Sequence, residues 1–405
     1  MNDIVNKQLR ILGIVDLPWD SRLGAARVWI ELSEQWKKAG HVFEKFCLTD
    51  AFPKPTGSRP LSALRRLIFP FRAARYIRQN SSRFDVIDSL IGTLPFSKKR
   101  LCFPGLIVGR SVGLFKPYQD FIRLSRKRWR DEPRGKLTGR LFYDLIMFWH
   151  GKNFYRALRS SDLINVPNED EKQSTEKCTA APTIVLPYGL NETERAALAG
   201  AARPASERLA RKEICFVGMW SLRKGSRDWP QIVRAILNSV PSARFAFLGT
   251  VTDEQTVLRD LNLQSSESIR CIMSYDPKEL PQLLSGSVVG LFPSYIEGFG
   301  LSVLEQLACG IPAIAYDVAG PRHIFDGSGR EFLVPVGNVK AMIDRALEIL
   351  RMSESDYGAL SAKCRQIAQL FRWEQIASDT IREYTAALAR QESGNPQQQA
   401  QIVSV

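Results

Sequence analysis

Two glutamates eight residues apart, Glu297 and Glu305, lie in the stretch LFPSYIEGFGLSVLEQLACGIPAIAYDVAG, residues 291–320. The apolar run ending at Pro293 reads as a buried strand, the segment with Gly298 and Gly300 as a loop, and the residues from Leu301 as a helix. Leu301, Leu304 and Ala308 form its packed stripe. At ~100° per residue Glu305 falls about 40° from Leu301 and about 60° from Ala308. A carboxylate bordering a buried stripe in a first turn is costly unless donors satisfy it. An ionised carboxylate only accepts hydrogen bonds, so the hydroxyls of a ribose suit it. The glycines let amides at the helix start approach an anion, and the helix dipole favours a diphosphate there. Glu297, on the loop, then faces whatever that diphosphate carries. Either glutamate alone is better explained as a dipole partner or a surface residue. The pair flanking a Gly-Phe-Gly loop carries more weight.

A second element is CFVGMWSLRKGSRDWPQIVRAI, residues 215–236. A strand ends at Gly218, a loop presents Arg223 and Lys224, and a helix follows Gly225. Two fixed cations neutralise a diphosphate leaving group, the main electrostatic demand of transfer from a nucleotide.

These loops need a scaffold. Strand-like runs recur at Ile214–Gly218, Arg244–Gly249, Ile269–Met273, Val288–Phe292, Pro312–Tyr316 and Glu331–Val334. Helix-length segments between them include Trp229–Ser239, Lys278–Ser285, Leu301–Cys309 and Val339–Arg351. That alternation predicts a doubly wound α/β domain with a parallel sheet. The first half starts alike, with a strand over Leu9–Val15, a loop holding Gly24 and a helix over 25–39. Further strands are expected at Phe84–Leu90, Leu163–Val166 and Thr183–Leu186. The expected division is 1–190, an N-terminal Rossmann-like domain; 191–212, a linker; 213–372, a C-terminal one; 373–390, a final amphipathic helix; and 391–405, a polar tail.

Composition excludes several classes. The 405 residues are 44% hydrophobic and 24% charged, as in globular proteins, and no apolar stretch reaches the roughly 20 residues of a membrane span. The N-terminus makes a poor secretory signal. Seven scattered cysteines fit reduced thiols in a cytoplasmic protein, and three distant histidines suggest no metal site. The net charge is +14, yet Arg59–Arg159 alone holds 23 basic and 6 acidic residues. Such a patch, interleaved with aromatics, implies an anionic partner. A membrane surface is the expectation, which would make the protein peripheral on its inner face. Nucleic acid is disfavoured because no recognised binding motif is present.

Glu297-x7-Glu305 within E-G-F-G-L-x-x-x-E, the A-C-G-I-P turn, the R-K-G loop and the W-E before the final helix resemble the retaining GT-B enzymes of glycosyltransferase family 4. The resemblance covers residues 214–385 closely and the first half loosely. It implies two Rossmann-like domains facing a central cleft, a C-terminal helix crossing back to the first, and no metal or other cofactor. It further implies that Lys224 and Arg223 hold the donor diphosphate, that Glu305 binds the ribose and that Glu297 orients the transferred sugar. The backbone of Phe299, Gly300, Leu301 and Ser302 would take the phosphates, and Gly24 would approach the donor. Lys224 and Glu297 are thus the catalytic expectations, with a nucleotide sugar as donor and a glycan or lipid-linked acceptor. The sequence departs from the family at Met219, where an Arg is usual, at Val112, where a His is usual, and at His323, where a Glu often stands. The first two departures support a second reading, a nucleotide-sugar-binding or scaffolding subunit with reduced or no catalysis.

Overall fold

A computed structural model of the chain describes residues 7–113, 115–129, 137–263 and 267–393. Leu114, Arg130 and the end of the polar tail lie outside them, as do the side chains of Phe115, Phe142 and Tyr143. The chain divides into two compact units. The first comprises Met1–Phe115, Glu132–Pro187 and Trp373–Val405, and the second Lys116–Asp131 and Tyr188–Arg372. Both are α/β.

In the first unit six parallel strands lie in the order β2-β1-β3-β4-β5-β6. They are β1 Arg10–Val15, β2 Val42–Cys47, β3 Val86–Leu90, β4 Leu106–Arg110, β5 Leu163–Val166 and β6 Thr183–Val185. β1, β3, β4 and β5 are almost continuously buried, as strands covered on both faces must be. The basic stretch 59–159 contains two long helices, Arg59–Asn80 and Leu137–Ser160. Helix Arg59–Asn80 starts on a Ser58 cap and a Pro at its first turn.

The final helix, Trp373–Ser393, belongs to this unit and packs on helix Gly24–Lys38. Trp36 Nε1 donates to the Ala377 carbonyl at 3.2 Å. Tyr384 reaches a fully buried ion pair between Asp88 on β3 and Arg110 on β4. Its hydroxyl donates to Asp88 and accepts from Arg110 Nη2 at 2.9 Å, while Trp29 Nε1 donates to Asp88 Oδ1 at 3.1 Å. Buried charges need such company.

The second sheet is also parallel, in the order β12-β11-β10-β7-β8-β9. Its strands are β7 Glu213–Val217, β8 Arg244–Leu248, β9 Ile269–Ile272, β10 Ser287–Phe292, β11 Ala313–Tyr316 and β12 Leu333–Val334. Counted within the unit this is the 3-2-1-4-5-6 order of dinucleotide-binding folds, and the chain reverses direction across the sheet between β7 and β10. Residues 191–212 are not an extended linker. Their Ala, Glu and Arg content favours helix, and they form Glu192–Ala201, with an Asn191–Glu194 capping box, and Ala205–Arg211.

Candidate functional site

The loops after β7 and β10 leave the sheet at its switch point, where α/β folds bind ligands. They are stitched together, because the Tyr295 amide donates to the Arg223 carbonyl at 2.9 Å. Gly225 makes this approach feasible. It sits at φ +80°, and a Cβ there would lie 2.3 Å from the Pro293 carbonyl oxygen.

Three of the expected side chains meet on these loops. Lys224 Nζ forms an ion pair with Glu297 Oε2, and Arg223 Nη1 lies 3.9 Å from the same oxygen. Lys224 is only 8% exposed, and its ammonium sits 4.4 Å from the centre of the Phe292 ring. Burial pushes its pKa below lysine's ordinary 10.5, with Arg223 acting the same way and Glu297 opposing both. The carboxylate therefore holds a reluctant cation in place. Arg223 is more open to solvent.

Glu297 also leans on the helix that follows. Gly300, at φ +99°, precedes helix Leu301–Ala308, and a Cβ on it would meet Glu297 Cγ at 3.6 Å. The Glu297 carbonyl accepts from the Gly320 amide at 3.2 Å, which ties the loop to helix Ala319–Ile324. Leu301 and Ser302 occupy the first turn, whose amides lack intrahelical acceptors. Phe299 is different. Its ring is buried against Tyr188 and Phe371, with His323 in the same aromatic cluster, so only its backbone is available to a phosphate.

Glu305 is 7% exposed and lies in the second turn of this helix, not the first. That distance from the N-terminus weakens dipole pairing as its explanation, since the dipole acts chiefly over one turn. At the other end, Arg208 donates to the carbonyls of Cys309 at 2.8 Å and Gly310 at 3.2 Å, satisfying the helix C-terminus from the segment expected to be a linker. Gly24 belongs to the first unit, where it opens helix Gly24–Lys38, and a Cβ there would meet nothing within 4 Å.

Sequence reasoning missed two groups. Beneath the second unit's loops, Asp228 accepts hydrogen bonds from Tyr295 at 2.8 Å and Tyr316 at 2.7 Å. Burial raises the Asp228 pKa, and Arg128 counters it. Arg128 arrives on helix Phe115–Arg128, lies 5.4 Å from the Tyr295 ring and has no sequence signal beyond a basic run. In the first unit, Asp16 follows β1 and hydrogen-bonds Thr93 just past β3, again at a switch point. Burial raises its pKa, while Arg66 and His150 oppose the rise. His150 had seemed isolated.

Met219 is 49% exposed and brings no cation, and Arg322 is engaged with Asp317 at 2.7 Å. Arg223 therefore stands as the second cation beside Lys224.

Residues 202–369 match the family model described as glycosyl transferases group 1. The second unit is a group 1 glycosyl transferase domain. A D-inositol 3-phosphate glycosyltransferase of Arthrobacter sp. is 36% identical over 122 residues, 29% of this chain and 28% of that protein. A GDP-mannose:cellobiosyl-diphosphopolyprenol alpha-mannosyltransferase of Xanthomonas campestris is 23% identical over 182 residues, 44% and 47% of the two chains. The chain thus spans less than half the length of these curated relatives. A sucrose-phosphate synthase structure from Thermosynechococcus elongatus superposes with a TM-score of 0.70 at 18% identity, over 94% of this chain and all of that one. That likeness establishes the fold, GT-B, for the group 1 domain together with the first unit.

Proposed function

We propose that the protein is a retaining glycosyltransferase that moves a sugar from a nucleotide-diphosphate sugar to a glycan or lipid-linked acceptor, as in cell-surface polysaccharide or glycolipid synthesis. The observation that carries this reading is the Lys224–Glu297 pair at the β7/β10 switch point. A donor diphosphate seated over Gly300 would draw Lys224 and Arg223 to its oxygens. It would thereby release Glu297 to hydrogen-bond the sugar. Glu305 would hold the ribose.

In the step itself the bond from the anomeric carbon to the diphosphate oxygen breaks, and the acceptor oxygen bonds to that carbon on the same face. The acceptor proton passes to the leaving phosphate oxygen, whose charge Lys224 and Arg223 stabilise. This assigns charge neutralisation to side chains, so the reaction needs no metal. In the first unit, Asp16 with its neighbours His150 and Arg66 is the proposed place for acceptor polar groups.

The test is transfer by the purified chain with a panel of nucleotide sugars, in chelator, with the anomeric configuration of the product read by NMR. A retained anomer formed in chelator supports the reading. An inverted anomer or a strict metal requirement overturns it. The exposed Met219, without the family's usual cation, favours the second reading, a binding subunit. That reading predicts a thermal shift with nucleotide sugar but neither transfer nor donor hydrolysis.

A further inference from the structure

Helix Arg59–Asn80 packs Phe69, Ala73, Ala74 and Ile77 into the core of the first unit, with Leu12, Ile14, Ile87 and Ile107 of the sheet. Its opposite side carries a second apolar stripe. Leu61, Leu64, Ile68 and Phe71 recur at spacings of three, four and three, which places them within an arc of about 80°. They are 39–53% exposed. Arg75 continues the arc one turn on, exposed and with no ion-pair or hydrogen-bond partner among the described residues.

Other arginines rim the stripe. Arg65 and Arg72 flank it on one side, stacked over Phe52 at 5.5 and 4.3 Å, and Arg78 lies on the other. Phe71 touches the Phe96 ring at 5.6 Å, and Arg100 covers that ring at 4.8 Å beside Lys99. The 22-residue helix holds six arginines and no acid.

We propose that this face seats the first unit on an anionic phospholipid surface, with the aliphatic stripe at the headgroup–acyl boundary and the arginines against lipid phosphates. The pairing of exposed aliphatics with unopposed positive charge selects this partner. Nucleic acid would answer the arginines but leave Leu61, Leu64 and Ile68 without a role. A second copy of the chain would cover the stripe but set Arg65, Arg72, Arg75 and Arg78 against their own counterparts. A soluble anionic glycan offers nothing for the aliphatic side chains.

The basic helix Phe115–Arg128 does not serve as a second lipid-facing element. Phe121 and Trp129 are turned onto Tyr295 of the second unit, at 6.1 and 5.2 Å. Instead Leu145, Phe148 and Trp149 on helix Leu137–Ser160 give the first unit another exposed apolar set.

The experiment is co-sedimentation of the full chain with phosphatidylglycerol-containing vesicles and with pure phosphatidylcholine vesicles at low and high salt. Binding is expected only to the anionic vesicles, fading as salt rises. Arg75→Gln, which breaks no contact, should weaken partitioning roughly fivefold, the equivalent of ~1 kcal/mol per base. Leu64→Glu with Phe71→Glu should weaken it tenfold or more while the protein stays folded at the assay temperature, read by circular dichroism. The proposal fails if wild type stays in the supernatant or binds both vesicle types equally. It fails too if the double variant sediments as wild type does. A concentration-dependent dimer lost in the double variant would instead assign the stripe to a second copy. Vesicle binding abolished by an equimolar oligonucleotide, with the double variant still holding that oligonucleotide, would assign the face to nucleic acid.

Discussion

Lys224 and Glu297 hold one another, and this coupling shapes what their variants should do. Glu305→Ala is expected to weaken nucleotide binding by about 1.5–3 kcal/mol, the value of a charge-assisted hydrogen bond, measured by calorimetry. Glu297→Ala should leave nucleotide affinity closer to wild type and slow transfer instead. Equal affinity losses in the two would refute their separate roles. Lys224 adds a pH signature. Its lowered pKa means that between the folded value and 10.5 the unfolded chain holds more protons, so its contribution makes stability rise with pH there. Donor affinity should move the opposite way, declining below pH 10.5 as the ammonium empties, and Lys224→Arg should flatten that decline. The placement of Glu297 and the R-K-G cations on strand-to-helix loops, and of Glu305 in the helix that follows, was legible in the sequence because the strand–loop–helix pattern is local. Asp228 and Arg128 were not. Asp228 meets Tyr295 and Tyr316, and Arg128 meets Tyr295, only after segments 67 to 167 residues apart have packed, and no local pattern records that.

Among the elements, the two loops at the β7/β10 crossover behave as one. Gly225→Ala would strain a positive φ and drive its Cβ into the Pro293 carbonyl. It should cost about 1–3 kcal/mol and abolish donor binding, although residue 225 bears no functional side chain. Normal affinity in that variant would show that the loops act independently. The strands of the second unit were read within a residue or two, because fully buried parallel strands leave continuous apolar runs between glycines and helix caps. β2, by contrast, carries Glu44 and Lys45 in VFEKFC and lies at the sheet edge, so its run is broken. The long helix Arg59–Asn80 was obscured for a related reason. With apolar residues on two faces and arginines between, its pattern has no single period.

For the whole molecule, the chain passes between the two units four times, at 115/116, 131/132, 187/188 and 372/373. The last passage returns Trp373–Ser393 to the first unit, where Tyr384 completes the buried Asp88–Arg110 pair. Tyr384→Phe should destabilise by about 1–3 kcal/mol by leaving part of that pair unsatisfied, read as a lowered denaturant midpoint. An unchanged midpoint would mean that the pair is satisfied without the hydroxyl. The family resemblance implied a returning helix, whereas nothing in the sequence signalled the departure of residues 116–131, since a basic amphipathic helix does not announce which core it joins. The returning helix also sets a clock on biosynthesis. At roughly 5–20 residues per second, a ribosome needs about 10–40 s after making Pro187 before the residues that close the first unit have been added. Through that interval the nascent unit holds Trp36 and the Asp88–Arg110 pair without their cover, which makes it a client for chaperones until the last stretch of chain arrives.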